Sequence, residues 1–241
     1  MNYSTLFETI KGYVENDFPN TSFTDVAGTG TTTLTSTEQI NTFIQQAEQR
    51  IFNSVQFPSI RKNVTGTISN GNKYLSSPSD FLAVYSIAVI DGDGAYNYLL
   101  NKDVNFIRES FPTPTDTGTP AYYALFGPTT TNDSPPAITN ELTFLLGPTP
   151  DAAYSVELHY YYYPESITTA ASGTSWLGDN FDSVLLYGSL LEAYTYMKGE
   201  TDIISNYTQR YNEALLLAKR LGDGMERGDA YRNGQVRMEV R

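Results

Sequence analysis

Asp179 to Leu221 reads DNFDSVLLYGSLLEAYTYMKGETDIISNYTQRYNEALLLAKRL. Phe181, Val184, Leu185, Gly188, Leu191 and Tyr194 recur at spacings of three and four, with Met197 one turn on. That period is one face of an α-helix. Ile204, Tyr207, Tyr211, Ala214, Leu215, Ala218 and Leu221 repeat it. Between the arms lies Lys198-Gly199-Glu200-Thr201-Asp202. Gly199 suits a helix C-terminus, and Thr201 with Asp202 suits the next N-terminus. So short a connection makes the two helices antiparallel neighbours. Each carries one apolar stripe, so another part of the chain must cover them.

Beyond the hairpin, 222–241 reads GDGMERGDAYRNGQVRMEVR. Gly222, Gly224, Gly228 and Gly234 break any helix. Arg227, Arg232, Arg237 and Arg241 are spread among Met225, Tyr231, Val236 and Met238. The segment reads either as a disordered terminus or as an arm that folds on a partner. Planar guanidinium donors, an amphipathic ring and adaptable thioethers are interface chemistry.

Before the hairpin, residues 3–17 read as a helix with Leu6, Phe7, Ile10, Tyr13 and Val14 on one face, ended by Pro19. Thr21 to Leu34 contains AGTGTTT but lacks the Gly-Lys-Ser/Thr end of a phosphate-binding loop. It reads as a mobile surface loop. Thr35 with Glu38, or Ser36 with Gln39, has capping-box spacing. Ile40, Phe43, Ile44, Ala47, Ile51 and Val55 then run along one helix face to Pro58. The fold expected is α+β. Residues 1–60 and 177–221 form an antiparallel four-helix bundle from both chain ends. Residues 61–176 are an inserted antiparallel β domain, and 222–241 an extended C-terminal arm.

The insertion is rich in strand and turn signals. Val64–Ile68 and Tyr74–Leu75 flank Asn70-Gly71-Asn72, which predicts a hairpin with a type I′ turn. Phe81–Ile90, Tyr96–Leu100, Ala121–Phe126, Leu142–Leu146 and Val156–Tyr163 read as further strands, and Asp103–Ser110 as a short helix. Asp91-Gly-Asp-Gly94 lacks the later oxygen ligands of a calcium loop and reads as a tight turn. Tyr160 to Tyr163 look like a sugar-binding strip, yet alternation puts only half of them on one face. A packed strand is therefore expected.

The chain has 241 residues, enough for one or two domains. Its 15 cations against 27 anions give a net charge of −12, which repels nucleic acid. The arm is neutral, with four Arg against Asp223, Glu226, Asp229 and Glu239, so the body carries the imbalance. No cysteine is present, which excludes disulfides and thiolate sites. No signal peptide is visible, and no stretch approaches the ~20 apolar residues of a membrane span. His159 is the only histidine, so a transition-metal site is not expected. No Gly-x-Ser-x-Gly elbow accompanies it. Glu141, Glu157 and Glu165 are the mid-chain candidates for a catalytic carboxylate pair and read more simply as solvated strand faces. No enzyme, no cofactor and no metal is expected.

Seven stretches in order resemble the head-to-tail adaptor, or connector, proteins of tailed bacteriophages. They are Ile40–Val55 (INTFIQQAEQRIFNSV), Tyr74–Val84 (YLSSPSDFLAV), Pro120–Gly127 (PAYYALFG), Phe144–Pro150 (FLLGPTP), Trp176-Leu177-Gly178, Leu185–Glu200 (LLYGSLLEAYTYMKGE) and Tyr211–Leu221 (YNEALLLAKRL). The likeness extends to the adaptors called tail tubular protein A; the loop at 21–34 is least similar. The resemblance implies a structural virion protein in the neck between head and tail, assembled in the host cytoplasm. It implies a ring, commonly of twelve copies, between the portal protein and a downstream tail or nozzle component. Genomic DNA would pass through its lumen on ejection without specific binding, and no membrane would be involved. The C-terminal segment would order on the portal, with Met225, Arg227, Tyr231, Arg232, Val236 and Arg237 as contacts. A glycan- or receptor-binding tail module is the alternative that the tyrosine-rich strands imply.

Overall fold

The computed structural model describes residues 1–24, 28, 30–113, 115–127, 129–130, 138–140 and 142–226. The chain divides into two compact units, Met1–Ser59 with Pro164–Arg241, and Ile60–Tyr163.

The first unit holds α1 (Tyr3–Val14), the hairpin β1 (Thr21–Thr24) and β2 (Thr31–Leu34), and α2 (Ser36–Ser54). Its second part holds α4 (Trp176–Asn180), α5 (Asp182–Tyr196) and α6 (Thr201–Glu226). Local chemistry sets the ends of these helices. The Asn2 side chain caps α1, and Glu15 leaves it in the left-handed region at φ 51°, well before Pro19. The Thr35 hydroxyl accepts from the Glu38 N–H, and the Glu38 carboxylate accepts from the Thr35 N–H, so the capping box is complete.

Helix α5 lies at the centre, with α1, α2, α4 and α6 packed on it. It buries Val184, Leu185, Leu186, Gly188, Ser189, Leu190, Leu191 and Ala193, residues from every side of the helix. The Ser189 hydroxyl is satisfied by the Leu185 carbonyl at 2.8 Å. The expected antiparallel four-helix bundle formed by both chain ends is therefore not the arrangement. A bundle needs four helices with one stripe each. A helix apolar all round belongs inside a core, and its neighbours dock on it from different sides. Helix and strand are also interleaved along the chain rather than segregated. The expected mobile loop at Thr21–Leu34 is in part a hairpin, with Thr21 opposite Leu34 and Thr24 opposite Thr31. Threonine-rich runs favour strand.

The second unit contains two four-stranded sheets. One has the order β3 (Arg61–Ile68), β12 (Tyr154–Tyr161), β5 (Ala83–Ile90) and β6 (Tyr96–Tyr98), all antiparallel. The other has the order β4 (Tyr74–Ser76), β11 (Thr143–Gly147), β8 (Tyr122–Phe126) and β7 (Leu100–Asn101). In this second sheet β7 runs parallel to β8, so the insertion is mixed rather than purely antiparallel. Strands β9 (Thr129–Thr130) and β10 (Ile138–Asn140) pair separately. The core between the sheets combines Ile87, Val89, Val156, Leu158 and Tyr160 with Tyr123, Phe144 and Leu146. Helix α3 (Val104–Ser110) covers the second sheet through Ile107, which packs with Ala124 and Leu145.

Two turn readings end differently. Asp91 accepts from the Asp93 and Ala95 N–H groups and closes the β5–β6 hairpin, as a tight turn should. Asn70-Gly71-Asn72 also turns, with Gly71 at φ 75°. However, β3 pairs with β12 and β4 with β11, so this turn passes from one sheet to the other and makes no hairpin. The Gly71 N–H donates to the Pro150 carbonyl, which fixes it there.

Candidate interaction surfaces

Helix α6 carries two stripes. Ile204, Tyr211, Leu215, Ala218 and Gly222 face the core of the unit. Displaced by one residue, Ile203, Tyr207, Arg210, Ala214, Leu217 and Leu221 follow spacings of four and three along the flank. That alternation is the seam on which a second helix packs. Leu217 is 61% exposed and Leu221 44%, with Leu216 beside them at 51%. Scattered single leucines need no explanation, but contiguous ones on a seam mark an interface. The sequence puts Leu221 on the core stripe. The structure puts it on the flank, because Gly222 takes the inward place, where a Cβ would meet the Gln56 carbonyl at 3.1 Å.

The upper part of this flank opens into a cleft of ≈ 490 Å³ lined by Tyr13, Tyr187, Tyr194, Asp202, Tyr207 and Arg210. Tyr194 and Tyr207 meet edge to face at 5.2 Å, and Tyr187 lies 6.1 Å from Tyr207. The Arg210 guanidinium sits 5.8 Å over the Tyr187 ring and is held by Asn206 Oδ1 at 3.0 Å. Burial, then the hydrogen bond to Tyr194, pushes the Tyr207 phenol up to about 12, so it stays a neutral hydroxyl. Sequence periodicity assigned Tyr194, Tyr207 and Tyr13 to helix faces. That α1, α5 and α6 bring them into one cleft is a tertiary fact.

In the second unit, the outward face of the β3–β12–β5–β6 sheet has a smaller cleft of ≈ 270 Å³ lined by Ala88, Tyr96, Tyr98, Glu157 and His159. Glu157 accepts from Asn63 Nδ2 at 2.8 Å, and His159 Nε2 lies 3.5 Å from its Oε1. Hydrogen bonding to Glu157 holds the Tyr96 phenol above its ordinary range. The Ser86 hydroxyl lies 3.3 Å from His159 Nδ1. Strand register thus lines up Ser86, His159 and Glu157, a neighbourhood the sequence could not show. The tyrosine run alternates as expected of a packed strand, with Tyr160 in the core and Tyr161 against Tyr85 at 5.9 Å.

Among the portal-contact residues read from sequence, Met225 falls within α6, which runs through Gly222 and Gly224 to Glu226. The glycines do not stop the helix where the sequence placed its end. Arg227, Tyr231, Arg232, Val236 and Arg237 lie outside the described residues, as does Glu141. Among the described residues, no cluster of His, Cys, Asp and Glu has the geometry to hold a metal ion. None of the described helices is long and apolar enough to cross a membrane.

The sequence matches the family described as SU10 adaptor protein over residues 1–239. The chain belongs to that family, and is a structural adaptor of a bacteriophage and a virion component of the head–tail region. No curated protein matches it.

Proposed function

We propose that this adaptor joins head to tail, as the tail tubular protein A type does. Copies form a ring, twelve by the family resemblance, between the portal protein and a downstream tail or nozzle component. The ring sits in the virion neck after assembly in the host cytoplasm. It encloses the channel through which the genome leaves on ejection, and DNA slides through it without specific binding. Its role is structural and not enzymatic.

The observation that carries this reading is the exposed seam of α6, with Leu217 and Leu221 one turn apart. It leads directly to the C-terminal segment. Residues 227–241 hold four of the 15 cations and two of the 27 anions, which leaves 11 against 25 on residues 1–226. So acidic a body repels phosphates, which suits a lumen that must not grip DNA. Met225, Arg227, Tyr231, Arg232, Val236 and Arg237 are the proposed portal contacts. The test is the mass of the assembly formed on added portal. Ring-sized complexes with the portal support the reading, and a protein that stays monomeric beside intact portal overturns it.

The cleft at Tyr96, Tyr98, Glu157 and His159 supports a second reading as a glycan-binding tail module, since aromatic faces with polar neighbours recognise sugars. No response on a broad glycan panel removes it.

A further inference from the structure

The β3–β12–β5–β6 sheet ends on two open edges. Strand β3 is eight residues long, and Lys62 to Thr67 are all exposed. It pairs with β12 without a bulge, from Tyr154 opposite Ile68 to Tyr161 opposite Arg61. Among the described residues, no strand lies on its other side. An edge of that length is a template for another strand, and proteins blunt such edges with charge, proline or a bulge. Here the charges, Arg61 and Lys62, sit at one end, and Lys62 is held by Asp80 at 2.7 Å. Val64 to Thr67 carry neither charge nor proline. At the opposite edge of the sheet, Tyr96 and Tyr98 of β6 are 52% and 67% exposed.

The ladders fix which backbone groups are open. The Tyr162 N–H donates to the Ile60 carbonyl at 2.9 Å. Hydrogen-bonded pairs alternate along an antiparallel ladder, so Val64 and Gly66 bond to β12 while Asn63, Thr65 and Thr67 turn their N–H and C=O groups away from it. On β6, the Leu99 N–H donates to Ile87 and the Asp91 N–H to Ala95, so Tyr96 and Tyr98 turn theirs outward. Asn63 bonds Glu157, and Tyr96 and Tyr98 line the cleft at Glu157. At both edges the residues with open backbone groups therefore carry side chains on the same face. The rows across the sheet also agree: Thr65 shares one with Tyr98, Gly66 with Asn97 and Thr67 with Tyr96. Four alternating strands leave β6 running opposite to β3. A second copy rotated about an axis along the strands thus presents its β3 antiparallel to this β6. Row meeting row places Tyr98 opposite Thr65 and Tyr96 opposite Thr67 of the next copy, two aromatic–β-branched pairs. No like charges meet. Successive copies stay level along the strands, as closure by pure rotation requires.

We infer that in the assembled ring the β6 edge of each copy pairs with the β3 edge of the next, through Tyr98 to Thr65 and Tyr96 to Thr67. The sheet then continues from copy to copy, and neither of its edges is left open. The inference rests on the ring reading and names a second subunit contact besides the α6 seam.

The absence of natural cysteines makes the test clean. Gly66→Cys and Asn97→Cys are placed together on the full chain. Facing residues of a non-hydrogen-bonded pair have Cα atoms about 4.5 Å apart, within disulfide range. Within one chain the two positions are three strand spacings apart, roughly 14 Å, so an internal disulfide cannot form. A Cβ at Gly66 meets nothing within 4 Å. The chain is assembled on portal, the mass of the assembly is measured, and the ring is then mildly oxidised. Edge pairing predicts a ladder of covalent multimers in non-reducing electrophoresis, which neither single substitution gives. Rings of full mass without the ladder overturn the inference and leave the ring reading standing. Dimers from Gly66→Cys alone overturn it in favour of β3 pairing with β3. A ladder from Val64→Cys with Asn97→Cys, and none from the first pair, overturns the register. Amide hydrogen exchange on the unsubstituted ring needs no variant. Thr65, Thr67, Tyr96 and Tyr98 should slow by about tenfold or more relative to the free chain, while Val64, Gly66 and Asn97 hold their rates. Slowing without that alternation, or none, overturns the inference. An unsubstituted chain that forms no ring on intact portal overturns the ring reading and this contact with it.

Discussion

Glu48 is buried on α2 and accepts the Ile167 N–H at 3.0 Å, which pins the 164–170 segment to that helix. Burial pushes its carboxyl above the ordinary range, against the opposing bonds from Ile167 and Ser166. A raised folded pKa means that the folded chain holds the proton more tightly than the unfolded chain. The group's contribution to stability therefore falls as pH rises through the carboxylate range and above it. Glu48→Gln keeps an acceptor and removes the charge. The melting temperature of Glu48→Gln relative to the natural protein should climb as pH rises through and beyond the ordinary carboxylate range. A flat or falling difference contradicts this account of the site. Asp80 behaves in the opposite sense. Burial pushes it up, but the Lys62 and Tyr160 hydrogen bonds override that and leave it lowered. Gly188 marks the closest helix approach, since a Cβ there would lie 3.1 Å from Ala47 Cβ and 3.3 Å from Tyr211 Cε2. Gly188→Val should cost about 1–3 kcal/mol by overpacking, read from urea unfolding. An unchanged midpoint would show that α2, α5 and α6 are less tightly packed than described.

At the scale of elements, strong local chemistry was legible and tertiary partnership was not. The capping box at Thr35 and Glu38 was readable because its partners are three residues apart. The turn at Asp91 was readable for the same reason. The stop between α5 and α6 was half readable. Lys198 takes the left-handed conformation at φ 56°, and Gly199 is needed instead because a Cβ there would come 2.6 Å from Tyr194 Cδ1. The Asn70–Asn72 turn was misread as a hairpin because nothing local tells a strand which sheet it joins. The α6 flank carries the prediction that belongs here. Leu217→Glu with Leu221→Glu places charge on surface-exposed positions, so the melting temperature should stay within a few degrees of the natural protein. Ring assembly on portal should be lost. Intact rings from the double variant would move the subunit contact away from α6.

For the whole molecule, periodicity showed helices at both ends of the chain and strands between them. It could not show that one helix is buried on all sides. LLYGSLLEA was read as a single stripe through Leu185, Gly188 and Leu191, yet Leu186, Ser189, Leu190 and Ala193 are buried as well, and the other helices gather on α5. The tyrosine cleft, and the alignment of Ser86, His159 and Glu157, depend on packing and register, so they were invisible in the sequence. The acidic body and the arginine-bearing end were legible from composition alone. The measurement that decides the central claim is cosedimentation with the cognate portal ring, comparing the full chain with a chain ending at Glu226, which lacks the proposed contacts from Arg227 to Arg237. The account predicts that the full chain travels with the portal and that the shortened chain loses most of that binding. A full chain that stays in the supernatant beside an intact portal ring would contradict it.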